Sequence, residues 1–108
     1  MTVDNSDVID AIGIENATGC TVLTIADHLE WSPLRDHLVL LQDKINRYIA
    51  FLENNEMAQS YPQGIGRPIR IDVCCQHEPT EQACEFLHQA ASVIQEAGWS
   101  FSWRVFHA

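Results

Sequence analysis

The run Asp27-His28-Leu29-Glu30-Trp31, followed shortly by Asp36-His37-Leu38, is the most visible grouping of reactive side chains in the chain. A carboxylate near an imidazole can supply metal ligands or an acid/base pair, and His28 and His37 could converge if the chain turns between them. Adjacency decides little, because in extended backbone Asp27 and His28 point to opposite sides. The plainer reading is that Asp27 and His28 hydrogen-bond the entry into a following helix while Trp31 packs beneath it. A second grouping is Asp72-x-Cys74-Cys75-x-His77, with Cys84 and His88 further on. Cys84 and His88 are spaced as neighbours on a helix, the way metal ligands on helices often are. The spacing matches no zinc signature, no Cys-x-x-Cys occurs, and Cys75 alternates in phase with Ile71 and Val73, so these thiols read as small buried hydrophobes. A redox role would need a lowered thiol pKa, for which an acidic chain offers few cationic neighbours. The third grouping is Arg70, Asp72 and Arg104. Two arginines around a carboxylate suit an anionic ligand or a partner's acidic residue. They suit equally well a set of cross-strand ion pairs on a wet surface.

Familiar catalytic and cofactor signatures are missing. Gly64-Ile-Gly66 lacks the third glycine and the strand-then-helix setting of a dinucleotide loop, and there is no phosphate-binding Gly-x-x-x-x-Gly-Lys-Ser/Thr and no Gly-x-Ser-x-Gly elbow. Trp99 and Trp103 alternate with serines rather than basic residues, which reads as sheet core and not as a base-stacking platform. No cofactor or metal is implied, and no catalytic residue is assigned.

The elements that would position these groups follow from periodicity. Val8 to Ile14 and Cys20 to Ala26 are two β-branched runs joined by Glu15-Asn16-Ala17-Thr18-Gly19, the pattern of a β-hairpin. Ser32-Pro33 announces a helix, with Ser32 as cap, Pro33 first in the helix and Asp36 in its first turn. Its apolar stripe is Leu34, Leu38, Leu41, Ile45, Tyr48 and Leu52, and Asn54-Asn55 end it. Residues 54–67 read as a loop. Pro68 to Cys75 then alternates, placing Ile69, Ile71, Val73 and Cys75 on one face and Arg70, Asp72 and Cys74 on the other. Thr80 caps a second helix with Ala83, Leu87, Ala90, Ala91, Ile94 and Ala97 inward, and Gly98 stops it. Trp99 to Phe106 alternates again, Ser100, Ser102 and Arg104 opposing the aromatics. The order ββαβαβ predicts a single α+β domain over 1–108: a two-layer sandwich whose mixed four-stranded sheet carries both helices on one face. The other face, bearing Arg70, Asp72, Cys74, Ser100, Ser102 and Arg104, is then left without a helix.

The chain has 108 residues, 46% of them apolar, and a formal charge of -9, which fits one well-packed domain and excludes intrinsic disorder. Fifteen acidic residues against six Lys and Arg repel phosphate backbones and anionic headgroups, so neither nucleic acid nor a membrane surface is expected as partner. The imbalance is local: residues 1–34 hold six acids and no Lys or Arg. No basic and apolar leader opens the chain, no run approaches a membrane span, and the four cysteines read as thiols, all of which predicts a cytoplasmic protein.

Three stretches carry a resemblance. They are Val3-Asp4-Asn5-x-Asp7-Val8-Ile9-Asp10-x-Ile12-Gly13, Thr24-Ile25-x-Asp27-His28-Leu29-x-Trp31 and Leu40-Leu41-Gln42-x-Lys44-Ile45-Asn46-x-Tyr48. Together they resemble a family of small bacterial proteins known as a domain of unknown function. The resemblance implies a bacterial cytoplasmic protein, carries over no catalytic or binding residue, and directs attention to Asp27, His28 and Trp31. The expectation from the sequence is a non-enzymatic interaction or regulatory domain that binds a protein partner or a second copy, an immunity-like inhibitor of a basic toxin being one form. Its candidate binding residues are Asp27, His28, Trp31, Arg70, Asp72 and Arg104. The competing expectation is a metal protein or enzyme using Asp27, His28 and His37, or the Cys74 to His88 grouping.

Overall fold

A computed structural model describes residues 9–106. Strands β1 (Ala11–Ile14) and β2 (Thr21–Asp27) form the hairpin; helix α1 (Leu34–Glu53) crosses to a short helix α2 (Glu56–Ser60) and a 3-10 turn (Pro62–Gly64). Strand β3 (Ile69–Cys75), helix α3 (Glu81–Glu96) and strand β4 (Ser100–Val105) complete the chain. The sheet order is β1-β2-β3-β4, with β1 antiparallel to β2 and the other pairs parallel. Each crossover moves one strand further in the same direction. By the right-handed rule both long helices therefore land on one face, which is the expected two-layer α+β sandwich.

The core lies between that face and the helices. β2 alternates strictly, burying Leu23 and Ile25, and β3 adds Ile71, Val73 and Cys75. Leu41, Ile45, Tyr48 and Phe51 of α1 and Ala83, Leu87 and Ile94 of α3 close over them. The buried stripe of α1 differs from the expected one in a telling way. It also contains His37 and Lys44, while Leu34, Leu38 and Leu52 are only half-buried.

The helix ends divide between agreement and correction. Thr80 caps α3 as expected, its hydroxyl accepting the Ala83 N–H at 3.1 Å. Thr80→Ala should cost about 1 kcal/mol in urea unfolding, the usual loss for an N-cap. Ser32 does not cap α1: the capping position is Pro33, without a side-chain hydrogen bond, and the Ser32-Pro33 bond is cis. Segment 54–67 is more ordered than a loop, because Met57 of α2 joins the core. At the start of β2 the Gly64 carbonyl accepts from the Thr21 hydroxyl at 2.8 Å. A Cβ on Gly64 would lie 3.0 Å from Thr21 and Tyr61 and 3.1 Å from Met57, so this contact needs glycine. The segment thus packs on the helix side. No residue of it lines the concavity on the opposite face.

Candidate functional site

The Asp27 and His37 side chains meet, as one of the sequence expectations allowed. Asp27 ends β2, pointing to the helix side, and the first turn of α1 brings His37 Nε2 to 2.6 Å from Asp27 Oδ2. The Leu29 N–H donates to Asp27 Oδ1 at 3.2 Å, and His37 Nδ1 lies 2.9 Å from the Glu30 carbonyl, to which it donates. Since that acceptor fixes a proton on Nδ1, a further single proton is shared between Nε2 and the carboxyl. Trp31 stacks on the imidazole, ring centres 3.7 Å apart, and its indole N–H donates to the His77 carbonyl at 2.9 Å. Asp27 and His37 are each 2% exposed. Burial raises the Asp27 pKa above the ordinary carboxylate value, against the lowering effect of His37.

This arrangement braces the strand-to-helix passage and offers little to a substrate. Both ring nitrogens are occupied, and the indole covers the ring face, so general acid/base work would require the passage to open. Nor does the topology make the crevice of doubly wound sheets, which forms where strand order reverses; here β2, β3 and β4 progress one way. His28 takes the opposite orientation to Asp27. It is exposed, with no hydrogen bond among the described residues, on a concavity of about 430 Å³ shared with Glu30, Asp36 and His37. The expectation that His28 helps tie the helix entry is thus met by His37 instead.

The Cys74 to His88 grouping is divided between surfaces. Cys75 is buried on the helix side, and burial, reinforced by the nearby Asp27 carboxylate, pushes its thiol up to about 12. Cys74 lies on the other face, and His88 packs edge-on against Trp103 at 4.9 Å. Among the described residues no three His, Cys, Asp or Glu side chains are grouped to hold a metal ion.

Arg70, Asp72 and Arg104 do share the helix-free face. The register sets rows across it: Gly13, Val22, Arg70, Ser100; then Ala11, Thr24, Asp72, Ser102; then Ala26, Cys74, Arg104. Small side chains on β1 and β2 leave a concavity of about 580 Å³ over them. Asp72 accepts the Ser102 hydroxyl at 2.9 Å and lies 3.4 Å from Arg104 Nε. Arg70 does not bond Asp72; it donates to both oxygens of Glu15, at 2.8 and 3.4 Å. That partner was absent from the sequence-derived grouping. It was reachable from the hairpin, because a residue following Ile14 in alternation faces the open side. The Arg70 guanidinium, then Thr18, holds the Glu15 carboxyl below its usual range. Arg70 Nε is enclosed and has no hydrogen-bond partner among the described residues.

Of the six acids in the first third, Asp10 and Asp27 are paired inside the fold and Glu15 is paired at its surface. Asp4 and Asp7 lie outside the described residues. Asp10 meets the fully buried Lys44 ammonium at 2.8 Å and accepts the Ala26 N–H at 2.9 Å, while Asp27 and Glu15 are paired as above. Glu30 is the remaining described acid of that stretch on the surface. The other exposed carboxylates ride mostly on the helix layer: Asp36, Asp43, Glu53, Glu81, Glu85 and Glu96.

A ββαβαβ chain with both helices on one face and a polar, concave opposite face is a two-layer α+β protein with an open sheet surface. It belongs to DUF6572, a family of unknown function, whose model matches residues 1–107. No curated protein and no solved structure matches the chain. No helix among the described residues is long and apolar enough to cross a membrane.

Proposed function

We propose that this protein is a non-enzymatic interaction domain that receives a protein partner on the open sheet face. The observation that carries the reading is the polar concavity of the open face, lined by Arg104, whose side chain is 65% exposed, beside Asp72. Among the described residues Arg104 is held only by the long contact of its Nε to Asp72, so its terminal nitrogens are open to a visitor. The partner therefore presents carboxylate or carbonyl oxygens to Arg104 and donors to Asp72 and Thr24. The sheathed Asp27–His37 pair supports a binding role over a catalytic one. The thiol state of the four cysteines, with Cys75 inside the core, supports a reducing, cytoplasmic setting.

A photo-crosslinking residue tests this. Placed at Ala11, exposed on the open face, it should give a discrete heteromeric adduct in the native host, and the same residue at Gln89 on the helix layer should not. Arg104→Glu should reduce the adduct about tenfold or more, the scale of one lost charge-assisted contact, with an unchanged circular dichroism spectrum. Equal adducts from Gln89, or indifference to Arg104→Glu, would count against the open face.

A further inference from the structure

We infer that the free edge of β4 pairs with the same edge of a second copy, antiparallel and centred on Ser102. The inference is independent of the open-face reading, since it uses backbone groups at the sheet margin. β4 is the last strand of the sheet. The Phe106 N–H donates to the Cys75 carbonyl at 2.6 Å, which shows which residues turn toward β3. By alternation, Ser100, Ser102 and Arg104 direct their backbone groups to β3, and Phe101, Trp103 and Val105 direct theirs outward. No described residue meets those outward N–H and C=O groups.

Natural edge strands are normally blunted by shortness, proline, lysine or a bulge, because an unpaired row of donors and acceptors recruits another chain. The opposite edge follows that practice, β1 being 4 residues long with a glycine inside. β4 is 6 residues, Ser-Phe-Ser-Trp-Arg-Val, without glycine, proline or lysine, and its register against β3 runs unbroken from Ser100 to Val105.

The strand is also complementary to itself. A two-fold axis perpendicular to the sheet at Ser102 keeps each side chain on its own face. It sets Phe101 opposite Trp103 of the partner subunit on the helix side, and Ser100 opposite Arg104 of the partner subunit on the open side. Aromatic cross-strand pairs are among the favourable ones, and no like charges are opposed. Phe101 and Trp103 exchange both bonds with their counterparts, and each Val105 N–H can reach a Trp99 carbonyl, about six hydrogen bonds in all. The Trp99 N–H does not take part, being committed to the Ile94 carbonyl at 3.2 Å. Two four-stranded sheets thereby become one, with all long helices on one side and the two open faces continuous.

The full-length chain tests this by sedimentation from micromolar to submillimolar concentration, where a reversible species of twice the chain mass is expected. Ser102→Cys supplies the register. Residues opposite each other in a pair that exchanges no hydrogen bond have Cα atoms about 4.5 Å apart, within disulfide reach. Mild oxidation should thus link Ser102→Cys into a dimer far more completely than wild type or Ser100→Cys. Val105→Pro removes an outward N–H without touching the β3 ladder and should leave a folded monomer. A wild-type chain that stays monomeric throughout overturns the inference, as does a dimer in which Ser102→Cys links no better than Ser100→Cys. A monomer that still gives heteromeric adducts from Ala11 would overturn the edge pairing alone. A dimer without those adducts would overturn the open-face reading alone. If Val105→Pro fails to fold, the Ser102→Cys comparison decides.

Discussion

Lys44→Met is expected to lower the unfolding free energy by about 3–5 kcal/mol, the range for breaking a buried ion pair by removing one partner. Lys44 is wholly buried, and Asp10 is 4% exposed at its side chain. Methionine keeps most of the packed volume, so the loss reflects the stranded Asp10 carboxylate more than a cavity. The same network fixes Tyr48, which donates to the Thr24 carbonyl and accepts the Asp10 N–H at 2.8 Å, and whose phenol is pushed well above its ordinary pKa chiefly by burial. Combining Lys44→Met with Asp10→Asn should recover much of the loss. Asparagine leaves no charge and can still accept the Ala26 N–H through its amide oxygen. Urea unfolding of the two single variants and the double variant measures the coupling. A double variant no more stable than Lys44→Met would mean that lost packing, not an unpaired charge, is what matters.

The second large effect belongs to the Asp27–His37 brace. His37→Ala removes the partner of a buried carboxyl, opens a cavity under Trp31 and leaves the Glu30 carbonyl without its donor, so about 3–5 kcal/mol is again expected. Asp27→Asn should be far milder. Its amide N–H can donate to His37 Nε2 as a protonated carboxyl does, and its oxygen can accept from Leu29. The pair also gives stability an unusual pH trend. Because burial raises the Asp27 pKa from 3.8, the folded chain keeps a proton that the unfolded chain releases. That contribution is complete below pH 3.8 and is lost as pH rises through the raised value. Glu15 and Glu56, lowered first by Arg70 and Arg47 respectively, act in the opposite sense, their contributions disappearing as pH falls. Both are solvent-exposed pairs of little weight. Plotted against pH, the stability of wild type minus that of Asp27→Asn should therefore decline above pH 3.8. Parallel curves would place the shared proton elsewhere.

What the amino-acid order settled by itself is the layout: the hairpin, the two long helices, the Thr80 cap, the parallel strands and the assignment of Arg70, Asp72 and Arg104 to a helix-free face. These follow from rules acting over a few residues, since alternation and helical periodicity decide which side chains can be buried together. The partners of the ionised groups needed the tertiary structure. Local spacing names no partner for Lys44, and it leaves His37 as one of two imidazoles that could meet Asp27. Lys44 and His37 are inside only because Asp10 and Asp27 reach them from 34 and 10 residues away. Glu15 and Arg70, 55 residues apart, likewise meet only once β2 separates their strands by one place. Pairing of charges depends on distance in space and on loss of water, neither of which is written in local spacing. Asp10 and Asp27, two of the six acids of the first third, thus proved to be internal wiring, while Arg70 and Arg104 of β3 and β4 line the open face.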